Sequence, residues 1–202
     1  MISGIEKTRI AAAIRDAETR TAGEVLCVVA RHCSDYRLAP IAWAALLALL
    51  IPMPLIYLTA WDPEPIYAFQ LVAFLFSSVG LSHPALRFHV VPRRIKHDRA
   101  HAEATRQFVV QGLAQTEHRT GVLIFASAAE RYAEIIADAG INEKVTPEVW
   151  DETVTALVSA IKAGRTADGF VAAVERCGAV LALHFPPGAL KRDELPNRIV
   201  EI

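Results

Sequence analysis

The chain has 202 residues, 53% of them apolar and 21% charged, which is enough for one domain plus an extra element and too apolar for a disordered chain. Lys and Arg number 21 against 22 Asp and Glu, a formal net charge of −1, so no global basic field favours nucleic acid as a partner. Cys27, Cys33 and Cys177 form neither a CxxC pair nor an even set, which suits free thiols in a reducing compartment.

The first residues, MISGIEKTRIAAAIRDAE, are charged throughout and lack the apolar core of a signal peptide, so the N-terminus is expected in the cytoplasm. Ser3 followed by Glu6 is a capping-box pattern, and Ile10, Ala13, Ile14 and Ala17 recur at helical spacing, predicting a first helix over about residues 4–20. GEVLCVVAR, residues 23–31, is a β-branched apolar run after a glycine and reads as a buried strand. A helix and a single strand cannot make a stable sheet, so this strand is expected to pair with segments further along the chain.

Leu38 to Trp61 and Ile66 to Leu86 carry no charged side chain. As helices rising about 1.5 Å per residue, they would extend roughly 36 Å and roughly 31 Å, enough for each to cross a bilayer. DPEP, residues 62–65, connects them. Arg31 and Arg37 precede the first span, and Arg87, Arg93, Arg94, Lys96 and Arg99 follow the second, whereas the connection holds no Lys or Arg. By the positive-inside rule both flanks are cytoplasmic and the turn faces outward, which predicts a multi-pass protein of the cell inner membrane with both termini in the cytoplasm. Trp43, Tyr57, Trp61 and Tyr67 fall where aromatic rings meet headgroups. Pro52 and Pro54 predict a kink in the first helix, and small residues (Ala44 with Ala48, Ala73 with Ser77) allow close helix packing. A pair of buried helices in a soluble core is the competing reading, and Gln70 and His83 are the polar positions that fit a span least well.

Beyond the hairpin, the pattern predicts a polar helix over about residues 95–114 and a strand at Val122–Ser127. A third strand follows at Arg131–Asp138. Thr146 before Pro147 marks a helix start, with Trp150, Val154, Leu157, Val158 and Ile161 on one face until Gly164, and a last helix follows over about residues 168–183. The expected architecture is an α/β sandwich in discontinuous parts: residues 1–37, the hairpin 38–86, residues 87–190, and a tail 191–202.

The stretch HRTGVLIFASAAERYAEIIADAGI, with GEVLCVVAR before it, resembles the TPM-domain family of thylakoid-lumen phosphatase-like proteins and a photosystem II repair factor. The ending HFPPGALKRDELPNRIVEI is similar to a bacterial membrane-bound branch in which a hairpin splits the domain. Thr120–Gly121 stands where many members have Asn-Gly. The resemblance implies association with envelope proteins, including LemA-like membrane proteins, and, through plant relatives, acid phosphatase activity. No set of catalytic residues matches position by position.

Chemistry-bearing residues are few. None of the cysteines has an arginine six positions on, and there is no GxSxG or phosphate-binding glycine loop. Cys27 and Cys177 fall on core faces. Glu134 and Asp138 lie four apart on a predicted strand and so share a face, with Glu130 further back. Such a line of carboxylates can hold Ca²⁺ or Mg²⁺, or can simply be a strand end meeting solvent. Gly140, two positions after Asp138, would let backbone approach a ligand. His97 and His101 share one face of a charged helix, without a third ligand at a characteristic distance. The basic run Arg87–His101 suits anionic lipid headgroups as well as topogenesis. The reading is therefore a non-catalytic partner- or ligand-binding module on the inner membrane, with membrane lipids and a membrane protein as partners. The alternative is a metal-dependent hydrolase of phosphatase type.

Overall fold

The computed structural model describes residues 2–116, 118–187 and 195–202, leaving aside the side chains of Pro84 and Ala85. In chain order the elements are α1 (Gly4–Thr19), β1 (Glu24–Ala30), α2 (Leu38–Leu50), α3 (Pro52–Leu58), α4 (Pro63–Ser82), α5 (Pro84–Arg87) and α6 (Arg93–Val110). There follow β2 (Gly121–Ser127), β3 (Tyr132–Ala137), α7 (Ala139–Asn142), α8 (Asp151–Lys162), α9 (Thr166–His184) and β4 (Ile199–Glu201). They form two compact units, one of residues 1–33 with 97–202 and the other of residues 34–96.

The first unit is a mixed α/β sheet covered by helices, in the strand order β3-β2-β1-β4. β1 lies in the interior of the sheet, parallel to β2 from Glu24 opposite Gly121 to Ala30 opposite Ser127, and parallel to β4 on its other side. β3 runs antiparallel to β2. A strand with neighbours on both edges and helices on both faces is apolar throughout, which is why GEVLCVVAR shows no polar alternation. Parallel strands also need a long crossover between them. The apolar hairpin and α6 both belong to the β1-to-β2 connection, so the insertion uses a link that the pairing requires in any case.

Alternate residues of β1 and β2 enter different cores. Val25, Cys27, Val122 and Ile124 pack with Ile10 and Ile14 of α1, Leu157 of α8, and Phe170, Val174 and Leu181 of α9. Leu26, Val28, Leu123 and Phe125 pack with Ala100, Ala104 and Phe108 of α6. The capping box is present: the Glu6 N–H donates to Ser3 Oγ at 3.3 Å and the Ser3 N–H to Glu6 Oε2 at 2.7 Å. α1 and α9 approach so closely at Gly178 that a Cβ there would lie 2.7 Å from Ala17 Cβ.

Boundaries moved for local reasons. The helix expected from Thr146 begins with a 3₁₀ turn, Pro147–Trp150, and Thr146 makes no side-chain cap. The tail contains a strand that the pattern did not announce: β4 is three residues long and is held by Ile202 N–H to Val29 O at 3.0 Å and Arg31 N–H to Ile202 O at 2.9 Å. Residues 191–194 of that tail lie outside the described residues.

In the second unit, α2 continues into α3 through Ile51, whose backbone stays helical (φ −60, ψ −43), and α4 packs against α2. Pro63 occupies the first turn of α4, so most of DPEP is helical and only Asp62 precedes it. α4 ends at Ser82 rather than Leu86, because His83 precedes a proline and adopts extended backbone (φ −61, ψ 135). His83 thus lies just past the helix. Ala44, Ala48 and Ile66 are buried, while Phe76 is 81% and Leu50 53% exposed. Leu38–Leu58 and Pro63–Ser82 have mean hydropathies of 2.2 and 1.5 with only 11% and 6% of their apolar windows buried, so both are long and apolar enough to cross a membrane and neither is packed like the helix of a soluble core.

Candidate functional site

β1 and β2 end together, Ala30 beside Ser127, and the carboxyl edge of parallel strands is where open α/β sheets place ligand crevices. The β2–β3 turn is tied to the residues leaving β1: Ala128 N–H donates to Ala30 O at 3.0 Å and Ala129 N–H to Arg31 O at 3.1 Å. Glu130 is buried at the centre of this edge. Its Oε1 accepts the Cys33 N–H at 3.0 Å, and its Oε2 accepts the Ser127 hydroxyl. Arg131 then turns the chain into β3 with left-handed backbone, φ 53.

A cleft of about 420 Å³ opens between this turn and α8, lined by Ser127, Ala128, Arg131, Tyr132, Val158, Ile161 and Lys162. A smaller cavity of about 140 Å³ adjoins it through Ala128 and Ile161, bordered by Arg31, Gly164 and Thr166. Arg131 and Lys162 are exposed, and among the described residues no acidic side chain lines the larger cleft. Neither the tie from Cys33 to Glu130 nor the placement of Arg131 and Lys162 was foreseen from sequence. The available signal was the polar break SAAER between two apolar strands.

The thiols are poor nucleophiles. Burial pushes the Cys33 thiol up to about 12, with the charges of Glu130 and Glu103 adding to it and a hydrogen bond from Ser127 opposing it. Cys177 is likewise pushed up to about 12 by burial, and burial also raises Cys27. All three stay protonated near neutrality, as packed cysteines do.

The structure gives Glu134 and Asp138 separate partners. Glu134 receives His101 Nδ1 at 2.9 and 3.0 Å and the Tyr132 hydroxyl at 3.0 Å. Desolvation, and then the Glu134 charge, raise the Tyr132 ionisation. His97 packs its ring 5.1 Å from that of Tyr132, so both histidines lie over β3. Asp138 follows the strand and caps α7, accepting the Ala139 N–H at 2.6 Å, and takes a bidentate pair from Arg119 at 2.9–3.1 Å. At about 3.3 Å of rise per extended residue the Cα atoms of Glu134 and Asp138 lie about 13 Å apart, and each carboxylate is engaged by its own partners. Among the described residues no three His, Cys, Asp or Glu side chains converge as a metal set. Gly140 does permit a close backbone approach, but to its own chain: its N–H donates to Arg119 O at 3.1 Å, and a Cβ would lie 2.7 Å from the carbonyl oxygens of Arg119 and His118.

Of the basic run, Arg93, Arg94 and Arg99 are exposed along α6, Lys96 donates to Phe88 O, and Arg87 lies over the Phe88 ring at 5.1 Å. In the hairpin, Gln70 is half-buried beside a cavity bordered by Pro52, Ile56 and Trp61. Trp43 donates its indole N–H to Val90 O at 2.9 Å.

The family model described as TPM domain matches residues 82–180. This span carries α6, β2, β3, α8 and most of α9, while α1, β1 and β4, which complete the sheet, lie outside it. Among solved structures, the NMR structure of BA42 protein from the psychrophilic bacterium Bizionia argentinensis is similar, with a TM-score of 0.62 and 22% identity over 100% of this chain and 96% of that chain. No curated protein matches. At that identity the likeness to BA42 establishes the fold alone. Fold and family match agree, and residues 82–180 of this chain are a TPM domain.

Proposed function

We propose that the chain is an integral protein of the cell inner membrane, with the α2–α4 hairpin in the bilayer, both termini cytoplasmic, and the TPM-containing α/β domain acting there as a non-catalytic ligand- or partner-binding module. The observation that carries the reading is the pair of apolar helices with almost fully exposed surfaces. Orientation follows from the flanking cations. Arg31, Arg37, Arg87, Arg93, Arg94, Lys96 and Arg99 lie outside the spans, and the connection between them holds only Asp62 and Glu64 as charged residues. Anionic headgroups are then partners of the basic run, each near-surface cation contributing on the order of 1 kcal/mol, and the lipid-facing helices offer a surface to a membrane protein such as a LemA-like partner. Binding rather than catalysis is favoured by the carboxyl-edge cleft, where the nearby Cys33 thiol stays protonated and Glu130 is already occupied by Ser127 and Cys33.

Single cysteines at Glu64 and at Arg165, each in a chain whose own cysteines are replaced by alanine, report topology in intact cells treated with a membrane-impermeant maleimide. Labelling at 64 and protection at 165 is the expected result. The reverse pattern would overturn the cytoplasmic assignment, and release of the chain from membranes by alkaline carbonate would overturn membrane integration.

A further inference from the structure

We infer that two copies of this chain pair side by side in the bilayer along α4, the side-chain amide of Gln70 in one copy hydrogen-bonding to that of the other. This names a partner for the hairpin proposed above to span the membrane, and it rests on that reading.

Gln70 carries a polar group to a depth where it needs a partner. It stands six residues past Glu64, about 9 Å along a helix rising about 1.5 Å per residue, and so inside a hydrocarbon layer about 30 Å thick. Its side chain is half-buried and makes no hydrogen bond among the described residues. Apolar and aromatic side chains surround it: Pro52, Ile56 and Trp61 on one side, Ile66 and Tyr67 on its own helix. Water would serve such an amide on the surface of a soluble protein. Lipid chains offer neither donor nor acceptor, so the group is satisfied by another helix.

The chemistry of the amide selects a second copy as that helix. Its NH₂ donates and its carbonyl oxygen accepts, so two glutamines complete one another without a third group. Every copy inserts with the same topology, which brings all Gln70 side chains to one depth, and a two-fold axis along the membrane normal sets a pair of them face to face. The sequence around Gln70 fits such a pairing. Tyr67, Gln70, Phe74, Ser77 and Leu81 recur at alternating intervals of three and four, the spacing of a helix-pairing seam, in which a single polar residue fixes register and oligomeric state. α2 and α3 pack on one flank of this stripe and Ile66 is buried there, whereas the other flank is open: Tyr67 is 63% exposed, and Phe74, Ser77 and Leu81 are only half-buried. A hollow of about 420 Å³ beside Gln70 gives the second helix a place to seat a side chain. No residue of the seam is charged, so it asks nothing of a partner that a second copy lacks.

The test is disulfide cross-linking of the full-length chain in native membranes, with Cys27, Cys33 and Cys177 replaced by alanine and copper phenanthroline as the oxidant. Tyr67→Cys should give a cross-linked dimer, whereas Val72→Cys, exposed on the side of α4 opposite the seam, should not. Adding Gln70→Leu to Tyr67→Cys should cut the dimer fraction about fivefold, and Gln70→Asn, which keeps an amide, should restore most of it. Equal cross-linking at 67 and 72, or a dimer that Gln70→Leu leaves unchanged, would overturn pairing through Gln70. A chain that cross-links at neither position yet resists extraction by alkaline carbonate would overturn the second copy and leave the membrane reading standing, with the seam given to lipid chains or to another membrane protein's helix. Extraction by carbonate would overturn the membrane reading and the pairing with it.

Discussion

Replacing Asp138 separates a structural carboxylate from a metal ligand. The Asp138 side chain is 4% exposed, caps α7 through the Ala139 N–H at 2.6 Å, and pairs with an Arg119 guanidinium that is 58% exposed. Water re-solvates so exposed a cation when its partner is removed, so the pair itself contributes little, and loss of the cap dominates. Removing a capping side chain costs about 1 kcal/mol, with an upper range of about 2. For a chain of this size each kcal/mol moves the melting temperature by about 2–4 °C, so Asp138→Ala should melt about 2–8 °C lower. Asparagine caps as well as aspartate, so Asp138→Asn should cost less than about 0.5 kcal/mol. Thermal unfolding of the full chain in detergent, with and without millimolar CaCl₂ or MgCl₂, reads both. Equal losses in the two variants would show that the charge and not the cap is what matters. A melting temperature raised by the cation in the unmodified chain and in neither variant would establish Asp138 as a metal ligand and refute the reasoning.

Two further measurements follow from perturbed acids. With its thiol pushed up to about 12 against an ordinary value of 9.0, Cys33 should react with a soluble disulfide reagent at pH 8 on the order of 10³-fold more slowly than an exposed cysteine. A rate within tenfold of the exposed reference would mean that the Glu130 edge does not hold this thiol in its buried setting. Glu201, in β4, is held below its ordinary value of 4.5 first by hydrogen bonding from Lys7 Nζ and then by the Ile2 N–H, each at 2.9 Å. A depressed carboxylate stabilises the fold above its unfolded pKa and loses that contribution as pH falls through its folded value. Glu201→Gln should therefore flatten part of the stability loss below about pH 4.5 and leave the profile above pH 6 parallel. A variant whose acid limb coincides in slope with that of the unmodified chain would count against this linkage.

Much of the fold was legible because it rests on local pattern. Ser3 with Glu6 specified a cap whatever α1 packs against, and the uncharged lengths of residues 38–61 and 66–86 specified apolar helices, which the structure ends at Leu58 and Ser82. GEVLCVVAR and VLIFAS showed continuous apolarity because β1 and β2 are covered on both faces. Less local features stayed hidden. β4 is only three residues long and acquires its identity from β1, more than 160 positions away, so no pattern within RIVEI distinguishes it from a loop. The expectation that Glu134 and Asp138 share a face followed from strand period alone. It took the tertiary structure to deliver His101 to one and Arg119 to the other.

The candidate cleft divides in the same way. By itself the sequence determined that apolar strands, helices of both kinds and an uncharged hairpin must exist, since hydrophobic period and charge distribution are properties of neighbouring residues. Only the folded sheet decided that Ser127 and Arg131 would stand across from Val158, Ile161 and Lys162, because those side chains meet through packing of α8 on the strands and not through any spacing along the chain. Burial likewise cannot be read from a residue's type. Cys33 and Glu130 acquire their character from the low-dielectric edge where β1 and β2 end together, and that edge exists only once the two strands have paired.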